Sequence, residues 1–324
     1  MEPDNASLPA VALIAGPTAS GKSALALALA RSLREAGREA LIVNADASGV
    51  YRDIPILSAQ PSRAEQAEVP HALVGHIDAA ENCNAARWVA EARAAIDAVT
   101  PRGVIPIIAG GTGLYIKTLL DGIAPVPDIP PEVRASVRSL SAAQAHAKLV
   151  MLDPASAARL RPTDTTRVQR ALEVVLGTGR PLGEWQQTKV GGIASRIALT
   201  PLLLLPPRDW LRARCDARLE AMFAGGAVEE VQALLDRRLD PSLPAMNAIG
   251  VPQIAAWLTG EFAPQNGTAW PLAHTQIATR QFAKRQYTFF RGQFPAEWQR
   301  SEQALNDAEI DIIVTKLHKD LLTG

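Results

Sequence analysis

The sequence predicts an α/β fold: a P-loop NTPase-like core with a parallel sheet flanked by helices, plus a mostly helical inserted domain. Three observations carry this. Short apolar runs alternate with helical patterns from Val11 to Gly122, a Gly-Lys-Ser turn joins the first run to the first helix, and the texture becomes helix-only after Gly122 until a strand pattern resumes at Ala198.

Val11–Ala15 is the first strand, followed by the turn and by Ser23–Ala36, whose Ala, Leu and Arg content suits a helix ended by Gly37. Ala40–Val43 is the second strand and closes at Asn44-Ala45-Asp46; Val104–Ala109 is the third and closes at Gly110-Gly111-Thr112. Between them Ala85–Val99 reads as a helix, broken by Pro101 and Gly103. Strands joined through helices run parallel and are covered on both faces. Pro125, Pro127, Pro130 and Pro131 then give a hinge-like segment, after which Glu132–Ser139, Ala142–Leu149, Pro154–Leu160 and Thr165–Leu176 are expected as helices. Ala198–Leu205 restores a buried strand, and Trp210–Gly225, Val228–Arg238, Pro252–Leu258 and Thr275–Gly292 follow as helices. The expected division is 1–123 for the first part of the core, 124–198 for the helical insertion, and 199–324 for the rest of the core with its C-terminal helices.

Hydrophobic residues at 48% and charged residues at 20% of 324 exclude a disordered chain and allow a large core. No apolar run approaches the roughly 20 residues of a membrane span; Leu202–Leu205 is hemmed by Pro201 and Pro206. Met1–Pro9 lacks a basic stretch leading into an apolar one, so no signal peptide, a cytoplasmic location and no membrane partner are expected. Cys83 and Cys215 are expected to be reduced, and the five histidines show no zinc-ligand spacing. Lys plus Arg equals Asp plus Glu at 33 each, so nucleic-acid binding would rest on local clusters, such as Arg280, Lys284, Arg285 and Arg291 in an acid-free stretch. With no repeat or coiled-coil pattern, a monomer without an obligate protein partner is expected.

Gly16-Pro17-Thr18-Ala19-Ser20-Gly21-Lys22-Ser23 matches G-x-x-x-x-G-K-[ST] between a strand and a helix. The glycines let backbone N–H groups converge on a polyphosphate, the helix N-terminus adds positive potential, Lys22 supplies a point charge, and Ser23 can ligate Mg2+. A nucleotide hydrolase adds an acid at the end of a later strand to help hold that metal. Here the third strand ends in Gly110-Gly111-Thr112, which suits a donor whose diphosphate is held and then released. Asp46, at the end of the second strand, has two readings: a base beside the phosphate site, or a turn-forming Asp that caps the next segment. Tyr287, Phe289 and Phe290 could stack on bases, although their spacing favours core packing.

The P-loop GPTASGKS, Asn44–Ser62 (NADASGVYRDIPILSAQPS), Pro70–Glu81, Ala109–Gly122 (AGGTGLYIKTLLDG), Arg167–Val174 and Thr279–Arg291 (TRQFAKRQYTFFR) together resemble the bacterial tRNA dimethylallyltransferase family, in order and across most of the chain. The resemblance implies transfer of a dimethylallyl group from dimethylallyl diphosphate, with Mg2+, to the exocyclic amine of the adenosine 3′ of the anticodon. It makes Asp46 the general base, Thr112 a hydrogen-bond partner of the bridging or leaving oxygen, and Arg218 a clamp on the diphosphate held by Gly16–Ser23. An adenine stacked in a loop must be turned out to react. The resemblance therefore implies that the helical insertion clasps the tRNA anticodon stem-loop. It assigns RNA contacts to Asp46, Ala47, Ser48, Gly49, Thr166, Arg167, Arg170, Asn247, Ile249, Gly250, Arg280, Gln281, Lys284 and Arg285.

Four positions depart from the family pattern. Where the family reads Asp-Ser-x-Gln, this chain has Asp46-Ala47-Ser48-Gly49; Thr166 stands where Gln often precedes the Arg, and Asn247 where Lys or Arg is frequent. These bear on acceptor recognition more than on diphosphate binding. A P-loop small-molecule kinase and a non-catalytic tRNA-binding relative are the alternative functions, and the missing strand-end acid argues against the kinase.

Overall fold

The computed structural model describes residues 8–261 and 267–323, so most of the leader-free start expected at Met1–Pro9 lies outside the described residues. Among the described residues the sheet has six strands, all parallel, in the order β3-β2-β4-β1-β5-β6. They are β1 Ala10–Ala15, β2 Ala40–Asn44, β3 His71–Ala72, β4 Ile105–Gly110, β5 Ala198–Leu204 and β6 Gln299–Ser301. The central strands β1 and β4 are apolar and buried along nearly their whole length, as a sheet covered on both faces requires.

The core unit also holds α1 Lys22–Glu35, α2 Arg63–Glu68, α3 Ala85–Val99 and most of α4 Gly113–Asp121; after β5 it holds α10 Arg208–Ala224, α11 Ala227–Asp236, α12 Val251–Leu258, α13 Ala269–Gln293 and α14 Asp307–Thr323. One face of the sheet is covered by α1 and α14, where Leu25, Leu29 and Leu33 share a buried cluster with Ile313, Leu317 and Leu321. Both sets recur at helical spacing, so each helix turns one apolar stripe inward. Across that seam His318 Nδ1 and Ser32 Oγ lie 2.6 Å apart.

The second unit, Leu119–Ile193, is helical: α5 Pro131–Arg138, α6 Ala142–Leu152, α7 Pro154–Arg159, α8 Thr165–Thr178 and α9 Leu182–Trp185. Its own core gathers Val137, Leu149, Val168, Leu172 and Val175. The helix starts are marked by Ser141, which forms a capping box with Gln144, and by Asp153 and Asp164. The unit spans 119–193 where the sequence suggested 124–198. The segments just inside its two ends belong to it, because Ile123 bridges Val190, Lys189 pairs with Asp121 at 3.0 Å, and the Ile193 N–H donates to the Leu119 carbonyl.

The elements the sequence reading lacks are α2, β3, α4, α9, β6 and α14. β3 and β6 are strands only through their pairing, Ile42 with His71 and Leu202 with Gln299, and neither has an apolar run of its own.

Candidate active site

Sheet order sets the geometry of the site. β4 lies between β1 and β2, with Gly110 level with Ala15 and Ala109 level with Asn44. The P-loop, the Gly111–Thr112 turn and Asp46 therefore leave the sheet side by side at its C-terminal edge, where open α/β sheets bind ligands. On the other side of β1, β5 leads into α10, which carries Arg218. A cavity of about 430 Å3 opens at this edge, lined by Thr18, Lys22, Asp46, Thr112 and Arg218 among others.

Within the P-loop, Ala19 (φ 60°) and Gly21 (φ 96°) adopt the left-handed conformation that curls the backbone around an anion, and α1 starts directly after. Thr18, Ala19, Lys22 and Ser23 line the cavity. Gly16 lies against β5, where a Cβ would sit 2.5 Å from the Leu204 carbonyl oxygen. Ser20 is fully buried; its N–H donates to the Pro17 carbonyl at 3.3 Å and its hydroxyl has no partner among the described residues. Lys22 Nζ donates to the Pro17 carbonyl at 2.7 Å.

The two oxygens of the Asp46 carboxylate have different surroundings. Oδ1 accepts from the Ser48 N–H (3.2 Å) and hydroxyl (2.9 Å), forming the turn; Oδ2 has no hydrogen-bond partner among the described residues. Asn44 braces the backbone, accepting from the Asp46 N–H and donating to its carbonyl. Thr112 Oγ1 accepts from the Ala47 N–H at 2.9 Å, which leaves its own proton to donate into the cavity. The glycines around it permit close approaches: a Cβ on Gly110 would meet the Ala45 backbone at 2.2 Å, one on Gly111 the Gln286 amide at 2.4 Å, and one on Gly113 the Phe289 ring at 2.3 Å.

Arg218 is the second cation at this end. Burial pulls its pKa down and Asp46 opposes the shift, yet the guanidinium has no hydrogen bond or ion pair among the described residues. Five donors held without protein acceptors suit an incoming anion. Among the described residues, Asp46 is the one acid on a wall that also carries Lys22, Arg218 and Arg285, so the local field is positive in a chain whose formal net charge is +0. Cys83 and Cys215 are free thiols on the same wall, each with its pKa raised by burial.

The remaining residues named from the sequence divide into three groups. Ala47, Ser48, Gly49, Asn247, Ile249 and Arg285 line the cavity; Gly250 lies behind it, packed on Leu57. Arg280, Gln281 and Lys284 instead line a separate open groove with Arg212, and Arg280 is committed to Asp216 at 2.7 and 2.9 Å. Thr166, Arg167 and Arg170 are exposed on α8 in the helical unit, the arginines near Asp164 and Glu173. Phe290 is fully buried, and Tyr287 donates to the Leu205 carbonyl; both serve packing. Two residues escaped the sequence reading. Glu230 accepts from the Ile56 and Leu57 N–H groups at 2.7 and 2.9 Å, fixing the segment that forms one cavity wall; the other is Gln286.

No cluster of three or more His, Cys, Asp or Glu side chains suited to a metal occurs among the described residues. Mg2+ does not need one, since it keeps several waters and takes the rest of its shell from one or two protein oxygens and substrate phosphates. The exposed Ser23 hydroxyl, in the first turn of α1 on the cavity wall, is such an oxygen.

Lys22 carries a pH dependence. Part of its side chain meets solvent, but protein atoms crowd the ammonium, and this burial pulls its pKa down to about 8 against the opposing field of Asp46. A bound diphosphate favours the charged form, so binding above pH 8 must take up a proton. Affinity for a diphosphate ester, whose own last ionisation lies at about pH 6, is expected to fall by up to about tenfold per unit as pH rises beyond 8. Calorimetric titration between pH 7 and 9.5 measures the fall, and Lys22→Arg should flatten it.

The IPP transferase family model matches residues 49–293. A tRNA dimethylallyltransferase of Sphingopyxis alaskensis is 58% identical over 313 residues, covering 97% of this chain and 100% of its own length. Another, from Erythrobacter litoralis, is 53% identical and covers 91% and 92%. Among solved structures, the full-length tRNA isopentenylpyrophosphate transferase of Bacillus halodurans superposes with a TM-score of 0.68 at 28% identity, covering 97% of each chain. A eukaryotic dimethylallyltransferase acting on tRNA gives 0.71 at 28%, covering 86% of this chain and 69% of its own.

Proposed function

The chain belongs to the IPP transferase family, and from that premise we propose that it transfers the dimethylallyl group of dimethylallyl diphosphate to the exocyclic N6 amine of the adenosine immediately 3′ of the anticodon in tRNA. The observation that carries this reading is the pairing of an open Asp46 Oδ2 with a Thr112 hydroxyl whose proton is free, in a cavity where Lys22, Arg218 and Arg285 supply positive charge. A kinase would place a metal-binding acid at the end of β4, where this chain has Gly110-Gly111-Thr112.

The chemistry follows from the charges. As the bond between the allylic carbon and the diphosphate oxygen breaks, the electron pair leaves with oxygen; Lys22, Arg218, the P-loop N–H groups and the Thr112 hydroxyl stabilise that developing charge. The adenine nitrogen bonds to the same carbon, and its proton passes to Asp46 Oδ2. Mg2+ held at Ser23 with the diphosphate would neutralise further charge on the leaving group. The allylic carbon tolerates positive charge, so the base mainly has to be well placed.

The acceptor adenine enters beside Ala47, Gly49, Asn247 and Ile249, with Arg285 at the same wall. Arg167 and Arg170 on the helical unit, and Lys284 with Arg212 in the separate groove, offer exposed cations to the RNA phosphates. Gly49 supplies no side chain, so preference among anticodon-loop sequences should differ from that of relatives with a Gln there. We place the reaction in the cytoplasm, with the tRNA pool; no helix among the described residues is long and apolar enough to cross a membrane.

Incubating the protein with total tRNA, Mg2+ and labelled dimethylallyl diphosphate, then digesting to nucleosides, should yield N6-(dimethylallyl)adenosine. ATP at equal concentration should barely compete. Binding of tRNA without turnover would support a non-catalytic relative, and a clear preference for ATP a kinase.

A further inference from the structure

We propose that Gln286 is a positioning residue: its amide locks the P-loop to the Gly111–Thr112 turn and so sets the distance between the departing diphosphate and Asp46. The inference rests on the transfer reaction proposed above. Gln286 lies within α13, is buried at 6% exposure and does not line the cavity, so it cannot touch either substrate directly. Its Oε1 accepts from the Thr18 N–H at 2.8 Å, and its Nε2 donates to the Gly111 carbonyl at 2.7 Å.

One side chain thus holds a backbone donor on the P-loop and a backbone acceptor on the β4 turn, roles that a carboxylate or an apolar side chain cannot combine. No other acceptor meets the Thr18 N–H among the described residues, so losing the amide would strand it. The helix that presents Gln286 is itself held in place. Ala283 packs in a cluster with Ala19 of the P-loop, and one turn after Gln286 the Phe289 ring crowds Gly113.

The amide also borders the base. A Cβ on Gly111 would come within 2.4 Å of Gln286 Nε2 and 3.5 Å of Asp46 Oδ2, so both groups flank the same turn. Thr112, next in the chain, holds the Ala47 N–H just beyond Asp46. A shift of the P-loop relative to this turn would change the spacing of leaving group, proton donor and base together. Misplacement by 1 Å can cost about 10²-fold in rate.

The test compares Gln286→Met, which keeps size and loses both bonds, with Gln286→Glu, which keeps the acceptor and adds a charge beside Asp46. Both should lower kcat by about 10²-fold with the tRNA KM within threefold of the parent. In Gln286→Glu alone the acidic limb of the pH–rate profile should move upward, since a second carboxylate disfavours ionisation of the base. Thr112→Val should add little to the loss in Gln286→Met, because both would disturb one turn. Parent-like kcat in Gln286→Met, full additivity with Thr112→Val, or loss of the folding transition in both variants would overturn the proposal. A parent protein that makes no modified nucleoside would instead overturn the reading on which it rests.

Discussion

Asp46→Asn is expected to lower the single-turnover rate of prenyl transfer by about 10³-fold, within the range of about 10²–10⁴ for a positioned general base. Asparagine is the informative replacement because the two carboxylate oxygens do different jobs. Its Oδ1 can still accept from the Ser48 N–H and hydroxyl, so the turn survives while the proposed proton acceptor is lost. Asp46→Ala should lose as much rate and loosen the turn as well. The effect on the donor is smaller and has two opposing parts. Removing the carboxylate relieves its repulsion of the diphosphate, but it also removes the field that holds the Lys22 pKa up, so less of Lys22 is charged at pH 8. A dissociation constant for dimethylallyl diphosphate within about tenfold of the parent is the expected balance. Transfer by Asp46→Asn at more than a tenth of the parental rate would remove Asp46 from its role.

The catalytic edge of this protein is legible in sequence because its parts are local. The spacing of Gly16, Gly21, Lys22 and Ser23 between a strand and a helix defines the anion cradle, and one acid after an apolar run marks the end of β2. α14 is written as plainly, with Ile310, Ile313, Val314, Leu317 and Leu321 at helical spacing, but it follows the polar stretch Gln299–Asn306 and is easily passed over. Other features have no local signal. Gln286 is one glutamine on a long helix, and only the docking of α13 against the P-loop gives it two backbone partners. Arg280 and Arg285 look alike in sequence, yet five residues on a helix separate them by about 140°. Arg285 consequently reaches the cavity wall while Arg280 turns to Asp216 on α10.

Gly110→Ala is expected to be the most damaging single-methyl change in the core unit, lowering stability by about 3 kcal/mol, the upper end of ordinary overpacking costs. The added Cβ would lie 2.2 Å from both the carbonyl carbon and oxygen of Ala45 and 2.6 Å from its Cα. These are backbone atoms, so no rotamer change relieves the clash. Nor can Ala45 retreat freely: its N–H donates to the Ala109 carbonyl at 2.8 Å, and its carbonyl accepts from the Thr112 N–H at 3.0 Å. Moving it breaks both bonds and displaces Asp46 on one side and Thr112 on the other. Prenyl transfer should therefore fall in the protein that still folds, by a factor larger than its lost stability explains. Gly292→Ala is the control. It lies near the end of α13, where a Cβ meets nothing within 4 Å, and alanine there should raise stability by up to about 1 kcal/mol. Calorimetric melting and single-turnover transfer on the two variants test the contrast. Equal melting temperatures and equal rates would mean that the β2 and β4 ends are not packed as closely as the Ala45–Gly110 contact requires.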